Sequence, residues 1–359
     1  MKNILVIFTG GTIGSVADKE NVVNIYDENV DNVENYILIR NFRSRNQKND
    51  VLFNHIKAFD ILSENMIISK WNDLIEKLQK IENNISDYNG IIITHGTDTL
   101  AYTASLIGIL LSHIKIPVVF ISSDYSPNET LANGNKNFED AVNFITDIKT
   151  PGVYSIYSYD NENSIVYYAT RLMQSQTFVD RYDSIGGVDY GLFNNGKFRY
   201  NKVKNNVNYD GAPKENLLSK MIGRKIEGNV LIINPYVGLN YDIFNYSIIK
   251  SIIHSCYHSF SFCMVSDGIS RNSIEELDKI CIEKKIDLYI SPFDKKIITE
   301  KNARIYDSTA KFIKSTNGVL VPNSTMEVTY AKVLIANVLF DDKLSRVKFV
   351  NKNINFEQF

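Results

Sequence analysis

Ile91-Ile92-Ile93-Thr94-His95-Gly96-Thr97-Asp98-Thr99 is the stretch on which the fold turns. Its isoleucines are apolar and β-branched without polar alternation, which predicts a strand buried on both faces. Gly96 breaks the run, and a helical pattern follows over 100–114. Strand, glycine loop and helix make the repeating unit of an α/β sheet, where ligands gather in loops at the C-terminal ends of parallel strands. Here the loop carries a hydroxyl, a carboxylate and a second hydroxyl: Thr97, Asp98 and Thr99. The same residue types cap helix N-termini by accepting bonds from free N–H groups. Taken alone, this loop leaves a capping role and a chemical role both open.

Working outward, residues 2–8 read as a first buried strand, followed at once by Thr9-Gly10-Gly11-Thr12-Ile13-Gly14. The glycines allow a tight turn and close backbone approach. The loop is not G-x-G-x-x-G and has no P-loop lysine, so it does not specify a nucleotide site. It does present Thr12, a hydroxyl that becomes a nucleophile when a base or activating network is close. Residues 16–50 are polar, Asn-rich and aperiodic, as functional or mobile loops are. They contain Tyr26 and a basic cluster, Arg40, Arg43 and Arg45, read as a solvated face or lid. A strand over 57–62 ends in Ser63-Glu64-Asn65. An amphipathic helix over 70–81 places Trp71, Leu74, Ile75 and Leu78 on one face, with Ser69 as its cap. A strand over 117–122 ends in Ser122-Ser123-Asp124, a helix follows Gly134, and strands are expected over 153–159 and 164–168.

This alternation predicts a mostly parallel, doubly wound sheet with helices on both faces. The Asn-, Lys- and Gly-rich stretch 193–223 reads as a linker, so the expected domains are 1–192 and a smaller α/β domain, 224–359. In the second domain, strands are expected over 229–234, 261–266 and 287–291. Helices are expected over 246–255, 273–284 and 325–339, the last capped by Ser324 or Thr325.

Composition narrows the function. The 359 residues are 44% hydrophobic and 22% charged, ordinary for a globular protein with a sizeable core. A formal net charge of -2 argues against a nucleic-acid partner held by a general basic surface. Met1–Phe8 has neither a basic n-region nor a long apolar h-region, and no apolar run reaches membrane-spanning length. A cytoplasmic protein with no membrane partner is therefore expected. The three cysteines, Cys256, Cys263 and Cys281, are odd in number and read as reduced thiols. His254 and His258 are spaced i, i+4 in an apolar, aromatic segment, which favours packing over a metal site. No cofactor is expected.

Thr9–Gly14 after the first strand together with Thr94–Thr99 after a later one is far more specific than either motif alone. The pair resembles the bacterial L-asparaginase family, which includes asparaginase-glutaminases and the asparaginase-like subunit of archaeal glutamyl-tRNA amidotransferase. The resemblance extends through Leu100–Ser105, closest to the cytoplasmic (type I) branch, Lys115–Val119, and Ser324-Thr325-Met326-Glu327 through Lys332. It implies a two-domain asparaginase-like fold and hydrolysis of a side-chain amide to carboxylate and ammonia. It also implies a small amino-acid amide as substrate, and a homodimer or homotetramer. By the same resemblance Thr12 is the nucleophile and Tyr26 its tyrosine partner. Ser63 binds the substrate α-carboxylate, Asp98 holds the α-amino group, and Thr97 is the second threonine. Ser123 lines the oxyanion region, while Gly11 and Glu64 complete the substrate contacts.

The family's lysine, which works with Thr97 and Asp98, aligns with Gln174 in Ala169-Thr170-Arg171-Leu172-Met173-Gln174. Glutamine cannot titrate and so cannot balance the charge on Asp98. By the same resemblance Glu64 stands beside the substrate, where the family has Gln or a small polar residue, and its carboxylate would oppose an α-carboxylate by about 1–4 kcal/mol at ~4 Å. Ser122-Ser123-Asp124 and Asn133-Gly134 also depart from the family pattern. These changes leave three readings open. The chain is an asparagine-type amidohydrolase, an enzyme of the same fold acting on another amide, or a binding homologue that keeps the cleft.

Overall fold

The computed structural model describes residues 1–17, 23–25, 32–46, 48, 50–159, 163–176, 178–203, 214–236, 238–255, 273–293, 295 and 307–358. They form two compact units, Met1–Arg224 with Ile354–Phe356, and Lys225–Asn353 with Glu357–Phe359.

The first unit is built on an eight-stranded sheet. Its spatial order is Lys197–Tyr200, Gly191–Asn194, Asn163–Tyr168, Gly152–Ser158, Pro117–Ile121, Gly90–Thr94, Lys2–Gly10 and Val51–Ile61. The last five in this order, Gly152–Ser158 to Val51–Ile61, run parallel, and the other three pair antiparallel. Ile91, Ile92 and Ile93 are each fully buried, as a strand covered on both faces requires. Parallel alignment brings the chain segments after Gly10, Ile61, Thr94 and Ile121 to one edge of the sheet.

The helix Leu100–Leu110 is apolar nearly all round and almost wholly buried, whereas Ile68–Ile81 buries only Trp71, Leu74, Ile75 and Leu78. The Trp71 indole donates to Thr103 Oγ1 at 2.9 Å and ties the two helices together. Ser69 lies inside the first turn instead of capping it, because the helix begins one residue earlier, at Ile68.

Two readings of the first unit need correction. The aperiodic stretch 16–50 contains a helix, Ile37–Arg45, that buries Ile37, Leu38, Ile39 and Phe42. Three consecutive apolar residues hide its period, and no side chain caps its start. Arg43, read as part of a solvated face, bonds Glu34 at 2.8 Å and the Val51 carbonyl at 2.9 Å. The stretch read as a linker begins with a hairpin, Gly191–Asn194 with Lys197–Tyr200, and contains the helix Leu217–Lys220. Asn195 and Gly196 both have positive φ (47° and 74°), the requirement of a two-residue hairpin turn. Their composition reflected turn chemistry, and Phe193 beside them is buried in the core.

The second unit holds a four-stranded parallel sheet in the order Val230–Ile233, Ser251–Ser255, Asp287–Phe293, Val319–Pro322. The helix expected over 246–255 is instead a 3-10 turn, Tyr246–Ile248, followed by the strand Ser251–Ser255. Ile252 and Ile253 are fully buried between two neighbouring strands, so sheet pairing decides an apolar run whose periodicity is ambiguous. Ser273 caps Ile274–Lys284, and the Thr325 hydroxyl accepts from the Val328 N–H at 3.1 Å at the start of Met326–Leu339.

The strand expected over 261–266 lies outside the described residues, as do Cys256, Cys263 and His258. His254 is buried with Nε2 2.7 Å from the Tyr241 hydroxyl, and burial pulls its pKa down to about 4. No helix among the described residues is long and apolar enough to cross a membrane. The described residues also contain no cluster of three or more His, Cys, Asp or Glu side chains able to hold a metal.

Candidate active site

Three of the gathered loops interlock through glycines. The Gly11 N–H donates to the Ile61 carbonyl at 2.8 Å, joining the first loop to the end of Val51–Ile61. Gly11 has φ 79° and ψ 175°, a region open essentially to glycine alone. A Cβ on Gly11 would lie 2.6 Å from Gly96 Cα, and a Cβ on Gly96 would lie 2.6 Å from Ser63 Cβ. The Thr12 and Thr97–Asp98 loops therefore touch backbone to backbone at Gly11 and Gly96, and Gly96 packs directly on the Ser63 side chain, approaches that only glycine permits. Gly11→Ala combines forbidden dihedrals with overpacking, for an expected loss of about 2–4 kcal/mol. A urea titration checks this, and a loss below about 0.5 kcal/mol would show that the loops do not meet.

Ser63 is the hub of this contact. Its hydroxyl donates to Asp98 Oδ2 at 2.8 Å and accepts from the Asp98 N–H at 3.1 Å, while its carbonyl accepts from the Thr99 hydroxyl at 3.0 Å. Ser63 is buried, while Asp98 and Glu64 are exposed. Thr12 and Thr97 are half-buried, and among the described residues neither hydroxyl is engaged in a side-chain hydrogen bond. Tyr26 lies outside the described residues.

Ser123 belongs to the next loop along the sheet edge. Its hydroxyl donates to the Tyr125 carbonyl at 2.6 Å and accepts from the Gly134 N–H at 3.0 Å, so its role here is to fasten that loop. A Cβ on Gly134 would lie 2.7 Å from Ser123 Cβ and 3.4 Å from Ile13 Cγ1, which places this loop against the Thr12 loop. Asp124 is half-buried, and desolvation raises its pKa against bonds from the Asn133 and Tyr125 N–H groups. His95 is fully buried with Nδ1 2.7 Å from the Gly96 carbonyl. Desolvation lowers its pKa to about 4, so it is a neutral structural side chain near pH 7.

Gln174 does reach the site. Its Nε2 donates to the Thr97 carbonyl at 3.0 Å, so it touches the second threonine through the main chain. Lys136, which with Lys149 is one of the two nearest earlier lysines in sequence, bonds Asp140 on its own helix. The same Thr97 carbonyl also accepts from the Tyr182 hydroxyl at 2.8 Å. Tyr182 escaped sequence reading because it lies 85 residues from Thr97 in a segment without helical or strand period.

The edge thus offers two hydroxyls unengaged among the described residues and a carboxylate held by a serine, a site suited to acyl transfer through a hydroxyl nucleophile. The chain belongs to the asparaginase family: the model described as "Asparaginase, N-terminal" matches residues 3–205. It is 26% identical over 227 residues to a glutamyl-tRNA(Gln) amidotransferase subunit of Thermoplasma volcanium, covering 63% of this chain and 52% of that protein. To the corresponding amidotransferase subunit of Methanobrevibacter smithii it is 28% identical over 252 residues, 69% of this chain and 54% of that one. The chain therefore spans about half the length of these two relatives. Against the same subunit in Methanosphaera stadtmanae, identity is 23% over 358 residues, 99% of this chain and 76% of that one. The thermostable L-asparaginase of Thermococcus kodakarensis shares the fold, with a TM-score of 0.74 at 18% identity and 99% coverage of both chains. A probable cytoplasmic L-asparaginase from Campylobacter jejuni gives 0.72 at 20% identity, covering 98% of this chain and 100% of that one.

Proposed function

We propose that the chain is an amidohydrolase that hydrolyses the side-chain amide of L-asparagine or a close analogue. The observation that carries this reading is the interlock of the Thr12 and Thr97–Asp98 loops, with both threonine hydroxyls unengaged among the described residues. In this scheme Thr12 Oγ1 bonds to the amide carbon and the C–N bond breaks. Ammonia leaves carrying the proton that the hydroxyl gave up. Water then cleaves the acyl ester and restores the hydroxyl. Asp98 receives the substrate ammonium, and Ser63 exchanges its bond to Asp98 for the substrate carboxylate. Tyr26 assists Thr12, and Gly11, Glu64 and Ser123 shape the surroundings. Glu64 disfavours a free α-carboxylate and so favours analogues in which that group is masked. The working protein is a cytoplasmic homodimer or homotetramer that needs no cofactor.

The test is ammonia release from L-asparagine and from L-glutamine by the purified chain. A second reading has a specific support: the curated relatives are named as amidotransferase subunits. On that reading the chain releases ammonia from glutamine inside a larger assembly, and release from glutamine alone would favour it. A catalytically impaired binding homologue would release none. Gln174→Lys keeps a donor for the Thr97 carbonyl and adds positive charge beside Asp98. Turnover should rise several-fold in a steady-state ammonia assay, and unchanged turnover would show that the missing lysine is not limiting.

A further inference from the structure

We propose that Tyr182 is a positioning residue of this site, which with Gln174 clamps the peptide unit between Thr97 and Asp98; its catalytic consequence rests on the amidohydrolase reading. The Thr97 carbonyl and the Asp98 N–H belong to one planar peptide unit. Its oxygen accepts from Tyr182 at 2.8 Å and from Gln174 at 3.0 Å. Its N–H donates to Ser63 Oγ at 3.1 Å. A plane held at both ends fixes the Cα atoms on either side, and those carry the Thr97 hydroxyl and the Asp98 carboxylate. Hydrogen bonds on the oxygen also polarise the unit and strengthen its N–H as a donor to Ser63.

The Tyr182 phenol is built onto the sheet. Tyr182 is only 2% exposed, and its own carbonyl accepts from the Tyr167 hydroxyl at 2.9 Å. Its ring meets Tyr157 edge-on, with centroids 5.1 Å apart. Tyr157 in turn donates to Asp180. Tyr157 lies on Gly152–Ser158 and Tyr167 on Asn163–Tyr168, so two strands brace the phenol. Burial drives its pKa well above the ordinary range, and the charges of Asp98 and Asp180 add to this. Tyr182 therefore stays protonated and donating throughout the neutral range. Gln174 then occupies the lysine position as a second donor to the same carbonyl, with no proton to relay.

Tyr182→Phe removes one hydroxyl and keeps the ring. The loss of one hydrogen bond, about 1 kcal/mol, corresponds to a roughly fivefold fall in kcat. The pH profile should be unchanged, because the residue does not titrate there. Exchange of the Asp98 amide with solvent, read by NMR, should quicken by a similar factor. Gln174→Leu should act alike, and Gln174→Glu should be worse than Gln174→Leu, because it loses the donor and also sets a negative carboxylate against the Thr97 carbonyl oxygen. That ordering separates a donor requirement from packing, and it survives if Tyr182→Phe fails to fold. Unchanged Asp98 exchange in the variants, or Gln174→Glu behaving like Gln174→Leu in that exchange, would overturn the proposal. If the native chain hydrolyses no amide, the amidohydrolase reading falls, while the exchange measurement still decides whether Tyr182 holds the loop.

Discussion

Thr12→Ala should lower ammonia release from the preferred amide by about a thousandfold or more, without unfolding the chain. Within its own turn no hydroxyl stands ready to replace the nucleophile, because that of Thr9 is committed to the Thr94 carbonyl at 2.6 Å. Thr12 is half-buried and its hydroxyl holds no other side chain among the described residues, so truncation leaves no broken bond behind. Its main-chain carbonyl accepts from the Ser15 hydroxyl at 2.6 Å, a contact that alanine keeps. The variant should therefore melt within about 1 kcal/mol of the native chain. Residual activity near the native level would reject Thr12 as nucleophile. A large loss of stability would instead assign Thr12 a role in holding the loop.

Lys332→Met should cost about 3–5 kcal/mol of stability, the largest effect expected outside the site. Lys332 is fully buried on the helix Met326–Leu339 and bonds Glu357 at 2.8 Å, itself fully buried. It also donates to the Lys352 carbonyl at 2.6 Å. Burial pulls the ammonium's pKa down, and Glu357 opposes that shift. Methionine has similar length but leaves a carboxylate and a carbonyl without their cation. The penalty is that of the orphaned charge and not the net worth of the pair. Lys332→Met combined with Glu357→Leu should recover much of the loss in denaturant titrations. Equal destabilisation by the single and double changes would mean that packing, and not charge, is at stake.

How much was legible can be followed through particular residues. Ile91–Ile93, the helix after Leu100 and the amphipathic face of Trp71, Leu74, Ile75 and Leu78 were all readable, because burial period is a local property of the chain. The helix Ile37–Arg45 was not, since Ile37-Leu38-Ile39 shows no period and the neighbours that bury it lie elsewhere in sequence. Composition does not tell Asn195-Gly196 from a linker, because the same residues make both linkers and hairpin turns. Ile252-Ile253 fits a helix as well as a strand, because a short apolar run does not announce which partner will cover it.

The site divides along the same line. Sequence alone determined the two threonine loops, their glycines, the serine and carboxylate beside them, and the absence of a lysine at position 174. Those features are local, since a glycine turn after a buried strand is written in adjacent residues. Only the tertiary structure decided that Gly11 and Gly96 leave just enough room for the loops to touch. It also decided that Ser63 joins Asp98 and that Tyr182 and Gln174 share the Thr97 carbonyl. Each of these contacts joins residues 35 to 85 positions apart. Parallel strands put such residues at one edge, and hydrogen-bond geometry there depends on backbone positions that no single stretch specifies.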